Sequence, residues 1–247
     1  MSARKKEKYM QEKNTKSALI LGVCILLGLA FLGYFLGSSL IKFKEYERTV
    51  TVKGLSEKEY PADVALWPIR FSSANNDLTK LYASIEKDTN EIIGFLKNNG
   101  FEKHEITVSP PNIIDKLSQG YEKSKIEFRY IATQTITVYS KKIKDVRATM
   151  NKLATLGKKG IAFTGHSYQN ATEYLFTRLN DIKPIMVEEA TTKAREVAEK
   201  FAKDSNSKLG KIKKARQGQF SINSRDKNNP HIKKIRVVST IEYYLSD

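Results

Sequence analysis

The chain has 247 residues, 43 Lys and Arg against 27 Asp and Glu, a net charge of +16 and one cysteine. A single cysteine excludes a disulfide-stapled scaffold, so the fold must rest on a hydrophobic core, and the length suffices for one substantial domain or two small ones. The first 41 residues hold six basic and two acidic groups, so +12 of the charge belongs to residues 42–247.

Residues 1–16 form a basic tail carrying Arg4, Lys5, Lys6, Lys8, Lys13 and Lys16. Residues 17–41 then read SALILGVCILLGLAFLGYFLGSSLI, with no charged side chain. At ~1.5 Å per residue such a helix reaches ~37 Å, more than the ~30 Å hydrocarbon layer. The exit, Gly37-Ser38-Ser39-Leu40-Ile41, lacks an Ala-x-Ala cleavage pattern, so the segment is expected to be an uncleaved signal anchor. Cys24 lies inside the apolar run behind Val23, which argues against a lipoprotein signal. Gly33 and Gly37 make a GxxxG pair that permits close helix-helix contact. The far flank offers Lys42, Lys44, Arg48 and Lys53, fewer cations than the leader, so the N-terminus is expected in the cytoplasm. Residues 42–247 are then an exported domain, periplasmic or otherwise extracytoplasmic, held by a single pass through the inner (cytoplasmic) membrane.

Thr49 to Lys53 alternates apolar and polar residues up to Gly54, and Ala62 to Ser72 reads as a longer strand. Together they suggest an opening hairpin, with Pro68 demanding an edge position or a bulge near Trp67. Asn75-Asn76-Asp77 supplies capping oxygens to a helix in which Leu78, Leu81, Tyr82, Ile85, Ile92 and Leu96 recur at helical spacing up to Gly100. A strand at Ile106 to Ser109 is interrupted by Pro110-Pro111, and a polar loop around Gln119-Gly120 leads to a long strand ending at Ser140. There Phe128, Tyr130, Ala132, Ile136 and Val138 share a face opposite Thr133, Thr135 and Thr137, so the sheet has one buried side. A second helix covers about Lys142 to Leu156, with Ile143, Val146, Met150 and Leu153 inward, and Phe163 to Phe176 reads as extended.

Asn180-Asp181 is placed as the cap of a third helix, with Pro184 tolerated in its first turn. Within it Ala190, Ala194, Ala198 and Ala202 form a small-residue stripe that lets the helix approach a sheet or another helix closely. Strands follow at Ile212 to Ile222 and Lys233 to Leu245, separated by a loop through Asn228-Asn229-Pro230. The two halves run in parallel: a strand, an Asn-Asp capped helix, a broken strand and a long strand ending in Ser. The expected fold is therefore α+β, a pseudo-duplicated strand-helix-hairpin domain preceded by a single transmembrane helix.

Catalytic constellations are missing from the sequence pattern. There is no Gly-x-Ser-x-Gly elbow, no Gly-rich phosphate loop, and His104, His166 and His231 stand at no metal-ligand spacing, which makes three surface histidines the plainer reading. No catalytic, cofactor or metal residue is expected, and no nucleic-acid partner once the domain lies outside the cytoplasm. Its basic surface would there meet solvent or an anionic envelope component.

The runs VTVKGLSEKEYPADVALWPIRF, RYIATQTITVYS, EYLFTRLNDIKPIMVEEATTKAREVAEKFA and IKKIRVVSTIEYYL, in this order from Arg48 to Leu245, resemble the SIMPL-domain family. That family, long described as a domain of unknown function, includes periplasmic and outer-membrane-associated immunogenic proteins of bacteria. The resemblance implies an α+β domain exported from the cytoplasm, with a tendency among some members to form large ring-like homo-oligomers resembling channels, and brings no accepted catalytic residue. In its light Gly54, Pro61, Asp63, Asn180, Asp181 and Pro184 read as fold determinants: Gly54 for a turn, Asp181 for a cap, Pro184 for a helix start. The expected function is a membrane-anchored, self-associating envelope scaffold or binding module, bound to lipid through residues 17–41. The alternatives are a ring-shaped pore and a hydrolase or transferase acting on envelope polymers.

Overall fold

The computed structural model describes residues 21–39, 48–119, 127–164 and 171–246. It is a mixed α+β fold with one apolar helix, α1 (Leu21–Ser39), ahead of the sheets. In order follow β1 (Thr49–Pro61), β2 (Val64–Asn75), α2 (Leu78–Asn98), β3 (Ile106–Val108), β4 (Asn112–Asp115), β5 (Tyr130–Ser140), α3 (Ile143–Lys152) and α4 (Ala154–Gly157). Then come β6 (Ala162–Phe163), β7 (Glu173–Leu175), α5 (Leu179–Asp204), β8 (Lys208–Gln217), β9 (Ser221–Ser224) and β10 (Ile232–Ser246). Two compact units share this chain, one taking described residues within 1–55, 189–218 and 238–247, the other those within 56–188 and 219–237.

The larger unit is built on β2 and β5, antiparallel from Ala65↔Ser140 to Asn75↔Tyr130. Along the far side of β5, β3 covers Ile136 to Val138 and β4 covers Tyr130 to Thr133, so the Pro110-Pro111 break turns one strand into two short ones. Alternation decides which face is covered: Ala132, Ile136 and Val138 on β5 and Trp67, Ile69 and Phe71 on β2 are buried against Leu81, Ile85, Ile92 and Leu96 of α2. Helix α2 begins where the sequence puts it, because the Asp77 carboxylate accepts from the amides of Thr79 (2.8 Å) and Lys80 (3.2 Å). It stops at Gly100, whose φ of 90° suits glycine.

In the smaller unit the stripe of Ala190, Ala194, Ala198 and Ala202 on α5 is buried. Ala194 and Ala198 pack with Val52 of β1 and Ile241 and Tyr243 of β10. The helix comes close because Gly54 lies beneath it. An ideal Cβ at Gly54 would overlap the carbonyl oxygen of Ala190 and stand 2.5 Å from the amide nitrogen of Ala194.

The internal repeat is visible in the pairing. Just as β3 and β4 divide β5 between them, β8 pairs with β10 from Ser239 to Ser246 and β9 from Lys233 to Arg236, both antiparallel. Each set follows a long helix, α2 in one case and α5 in the other.

Several expectations are corrected. The opening hairpin does not form: β1 neighbours β10, whereas β2 belongs to the sheet of β5. Gly54 makes no turn, because β1 runs on to Pro61; the glycine is needed for helix approach, not for chain reversal. Asn180 and Asp181 are not caps, since α5 already starts at Leu179, and the Asp181 amide donates to the Arg178 carbonyl at 3.2 Å. Pro184 therefore stands beyond the first turn, where its missing N–H removes one helical bond. The second helix breaks at Leu153 into α3 and α4. Pro68 does obey the edge rule in a local form. Opposite Thr137 on β5, it lies between the stretch of β2 that β6 reaches, Phe71 and Ser72, and the stretch that β7 reaches, Val64 to Leu66, and among the described residues no strand pairs with it on that side. Of the extended run from Phe163 to Phe176, residues 165–170 lie outside the described residues, as do the basic tail and most of the polar loop near Gln119.

Candidate functional site

In the larger unit a groove of ≈ 600 Å³ opens between β7 and β9, lined among others by Tyr174, Phe176, Ile222, Ser224, Pro230 and Lys233. Each bordering strand has a single partner among the described residues, β2 for β7 and β10 for β9. One wall is held by Asp63: its carboxylate accepts from the Thr177 amide (2.9 and 3.0 Å), the Thr177 hydroxyl (3.1 Å) and Arg178 Nε (3.3 Å). The Asp63 amide in turn donates to the Leu175 carbonyl at 2.9 Å. The opposite wall depends on the turn after β9. Asp226 accepts there from the amides of Asn228 and Asn229, both at 2.8 Å, and from Arg225 Nε at 2.8 Å. The Arg225 guanidinium, aided by Asn229 and the two amides, outweighs partial desolvation and lowers the Asp226 pKa to about 2. An Asp-x-Asn-Asn-Pro run is thus a locked turn, and it delivers Lys233 to the groove and His231 to the flank of Tyr174.

Lys233 donates to Ser224 Oγ at 3.0 Å. Desolvation by the apolar walls lowers its pKa, against the opposing charge of Glu173. Such an ammonium, with donors to spare beside a hydroxyl, can hold a carboxylate or another anionic group.

His231 lies beside this groove and is half-buried, not a surface residue. Its Nε2 is 3.1 Å from Arg147 Nη1, its ring meets Tyr174 edge-on at 6.0 Å, and its Nδ1 is buried without a partner. Since Arg147 can only donate, Nε2 must accept, which puts the neutral ring's proton on Nδ1. Desolvation first, then the charges of Arg147 and Arg225, depress its pKa, with Asp226 opposing. A histidine whose folded pKa is lowered stabilises the fold while neutral, and that contribution drains away as pH falls from the unfolded value near ~6.5 through the folded one. We expect the urea midpoint of the His231→Gln variant to fall less between pH 7.5 and pH 5 than that of the unmodified chain. Parallel curves would refute the assignment.

The other sequence candidates stay apart. His104 is exposed, 3.3 Å from a Glu102 carboxylate oxygen, and His166 lies outside the described residues. Among the described residues no group of three or more His, Cys, Asp or Glu side chains could hold a metal ion. Gly33 and Gly37 lie on an open face of α1, where an added Cβ would meet nothing within 4 Å. Helix α1 is long and apolar enough to cross a membrane, and it fits an anchor and an N-terminal signal sequence alike.

A second polar surface belongs to the smaller unit. On the face of its sheet turned away from α5, Lys214, Arg216, Thr51, Thr240 and Glu242 line a shallow recess of ≈ 190 Å³. Lys213 is 3.3 Å from Glu242 and 5.6 Å from the Tyr244 ring centre. A hydrogen bond from Thr49 and the nearby Lys213 and Lys214 hold the Glu242 carboxyl below its ordinary range.

Sequence reasoning misses both surfaces. Lys233, Ser224 and Tyr174 belong to separate segments and carry no motif that would unite them. The run Lys211-Ile212-Lys213-Lys214-Ala215-Arg216 is the legible signal for the second, since an exposed edge strand must display such charges.

Against known families, the model for SIMPL, described as a protein of unknown function (DUF541), matches residues 50–236. No curated protein matches the chain.

Proposed function

Because this chain belongs to the SIMPL family and carries a charge-free helix just ahead of the family domain, we propose that it is a membrane-anchored, self-associating envelope protein. It acts as a scaffold or binding module rather than a catalyst, with the helix uncleaved, the N-terminus in the cytoplasm and the sheets on the far side of the inner membrane. The observation that carries this reading is α1 itself: none of the span Leu21–Ser39 is buried by the other described residues, and its apolar side chains need lipid or a second copy of the helix. Gly33 and Gly37 supply the flat face on which copies of the helix could meet. The groove at Lys233 supplies a place for an anionic envelope component. Its desolvated ammonium is the kind of group that gains most from a carboxylate or phosphate partner.

Two measurements test the reading. Membranes holding the full chain should retain it through washing at pH 11, and light scattering in detergent should give a mass of several chains. Replacing Gly33 and Gly37 together by leucine should shift that mass toward the monomer while leaving membrane retention intact. Release at pH 11 would remove the anchor, and a strict monomer at high concentration would remove self-association.

A further inference from the structure

We infer that the outer face of the sheet in the smaller unit docks on the anionic phospholipid headgroups of the membrane that holds α1. The inference rests on the anchoring reading above. Half of β8, five of ten residues, is Lys or Arg, and none of its residues is acidic. On the face away from α5, Lys213, Lys214 and Arg216 join Thr51, Thr240, Glu242 and Tyr244, and Lys53 is exposed two residues along from Thr51 on β1. Glu242 is the single acid of this group, and it is already engaged by Thr49 and Lys213. The balance is cationic on a shallow surface of short threonine side chains, a relief that a layer of headgroups can approach closely. Tyr244, 40% exposed, adds a ring of the kind that favours the headgroup region.

Tether length selects lipid among anionic partners. From Ser39, the last residue of α1, to Arg48, whose carbonyl accepts from the Leu245 amide of the same sheet, is nine residues. At ~3.3–3.6 Å per residue the sheet therefore begins within about 32 Å of the end of α1. The membrane is thus the anion source held permanently at high effective concentration. A second copy offering the same face would be repelled by like charge, whereas each cation near an anionic leaflet gains favourable energy that salt screens within ~8 Å.

The test uses the full chain in nanodiscs of phosphatidylcholine alone and of phosphatidylcholine with 30% phosphatidylglycerol, lipids that carry no primary amine. Amine acetylation at Lys53, Lys213 and Lys214, read by mass spectrometry, should be about five-fold slower in the anionic discs. In 0.5 M NaCl the protection should vanish. In the anionic discs, a variant carrying Lys213→Gln, Lys214→Gln and Arg216→Gln should lose the protection of Lys53. Equal labelling in both discs overturns the inference and leaves the anchor standing, as does protection that appears only when soluble polyglutamate is added, which would assign the face to a soluble polyanion. Failure of the chain to insert into either disc overturns the anchoring reading and this inference with it.

Discussion

Valine in place of Gly54 should cost at least about 3 kcal/mol of stability, the largest effect expected from any single substitution on β1. The cause is geometric. Gly54 packs directly beneath α5 at Ala190 and Ala194, and the atoms its Cβ would meet are main-chain atoms of the helix, which cannot move aside as a flexible side chain would. Relief would need the helix to lift, breaking the contact of Ala194 and Ala198 with Val52, Ile241 and Tyr243. Those five side chains are the buried core of that cluster, so no deeper reserve of packing absorbs the shift. Urea denaturation followed by circular dichroism would measure it, with Lys53→Ala as reference, expected within about 0.5 kcal/mol of the unmodified chain because that side chain is exposed. A Gly54→Val midpoint indistinguishable from the reference would show that α5 does not approach the strand as described.

Asp63→Ala should destabilise by about 2–3 kcal/mol. Its carboxylate gathers the Thr177 amide, the Thr177 hydroxyl and Arg178 Nε, groups more than a hundred residues away in sequence. Its side chain is only 16% exposed while Thr177 and Arg178 are exposed, so alanine leaves a small void and turns those donors to water, and the loss is that of the charge-assisted bonds that tie the two segments together. Asp63→Asn keeps an acceptor for the Thr177 amide and should lose about half as much. The same pair reports on the groove, because Asp63 fixes the stretch after β7 that forms one wall. Equal loss from alanine and asparagine would mean that the charge, and not the acceptor geometry, carries the effect.

How far the sequence can be read depends on whether the deciding contact is local. Helix α2 is legible in its bounds and most of its inner face: Asp77 caps it through amides two and three residues away, Leu81, Ile85, Ile92 and Leu96 are buried as their spacing predicts while Leu78 and Tyr82 are exposed, and Gly100 ends it, all within a single segment. The faces of β5 and β10 are legible for the same reason, since alternation is written into each strand. The groove is not. Lys233 gains its character from Ser224, Glu173 and apolar residues on β7 and β9, and no spacing rule joins them. His231 reads as a surface residue because nothing near it in sequence announces Arg147 or Tyr174.

Gly54 marks the boundary between the two kinds of information. As a glycine after an alternating strand it reads as a turn, and only the position of a helix 136 residues later turns it into a point of close approach. Asn180-Asp181 misleads in the opposite way, by analogy with Asn76-Asp77, because a capping residue type is also an acceptable first-turn residue.

Residue type and period along single segments were enough to establish the apolar, charge-free span, the family, the α+β class and the inward faces of the long strands, since none of these needs a distant partner. Long-range packing alone settled that β1 leaves β2 to join β10, that the alanine stripe rests on Gly54, and that the cations of β8 share a face with Thr51 and Thr240. Those are choices of partner among surfaces of similar chemistry, and they go to whichever arrangement buries the most apolar area without stranding a backbone group.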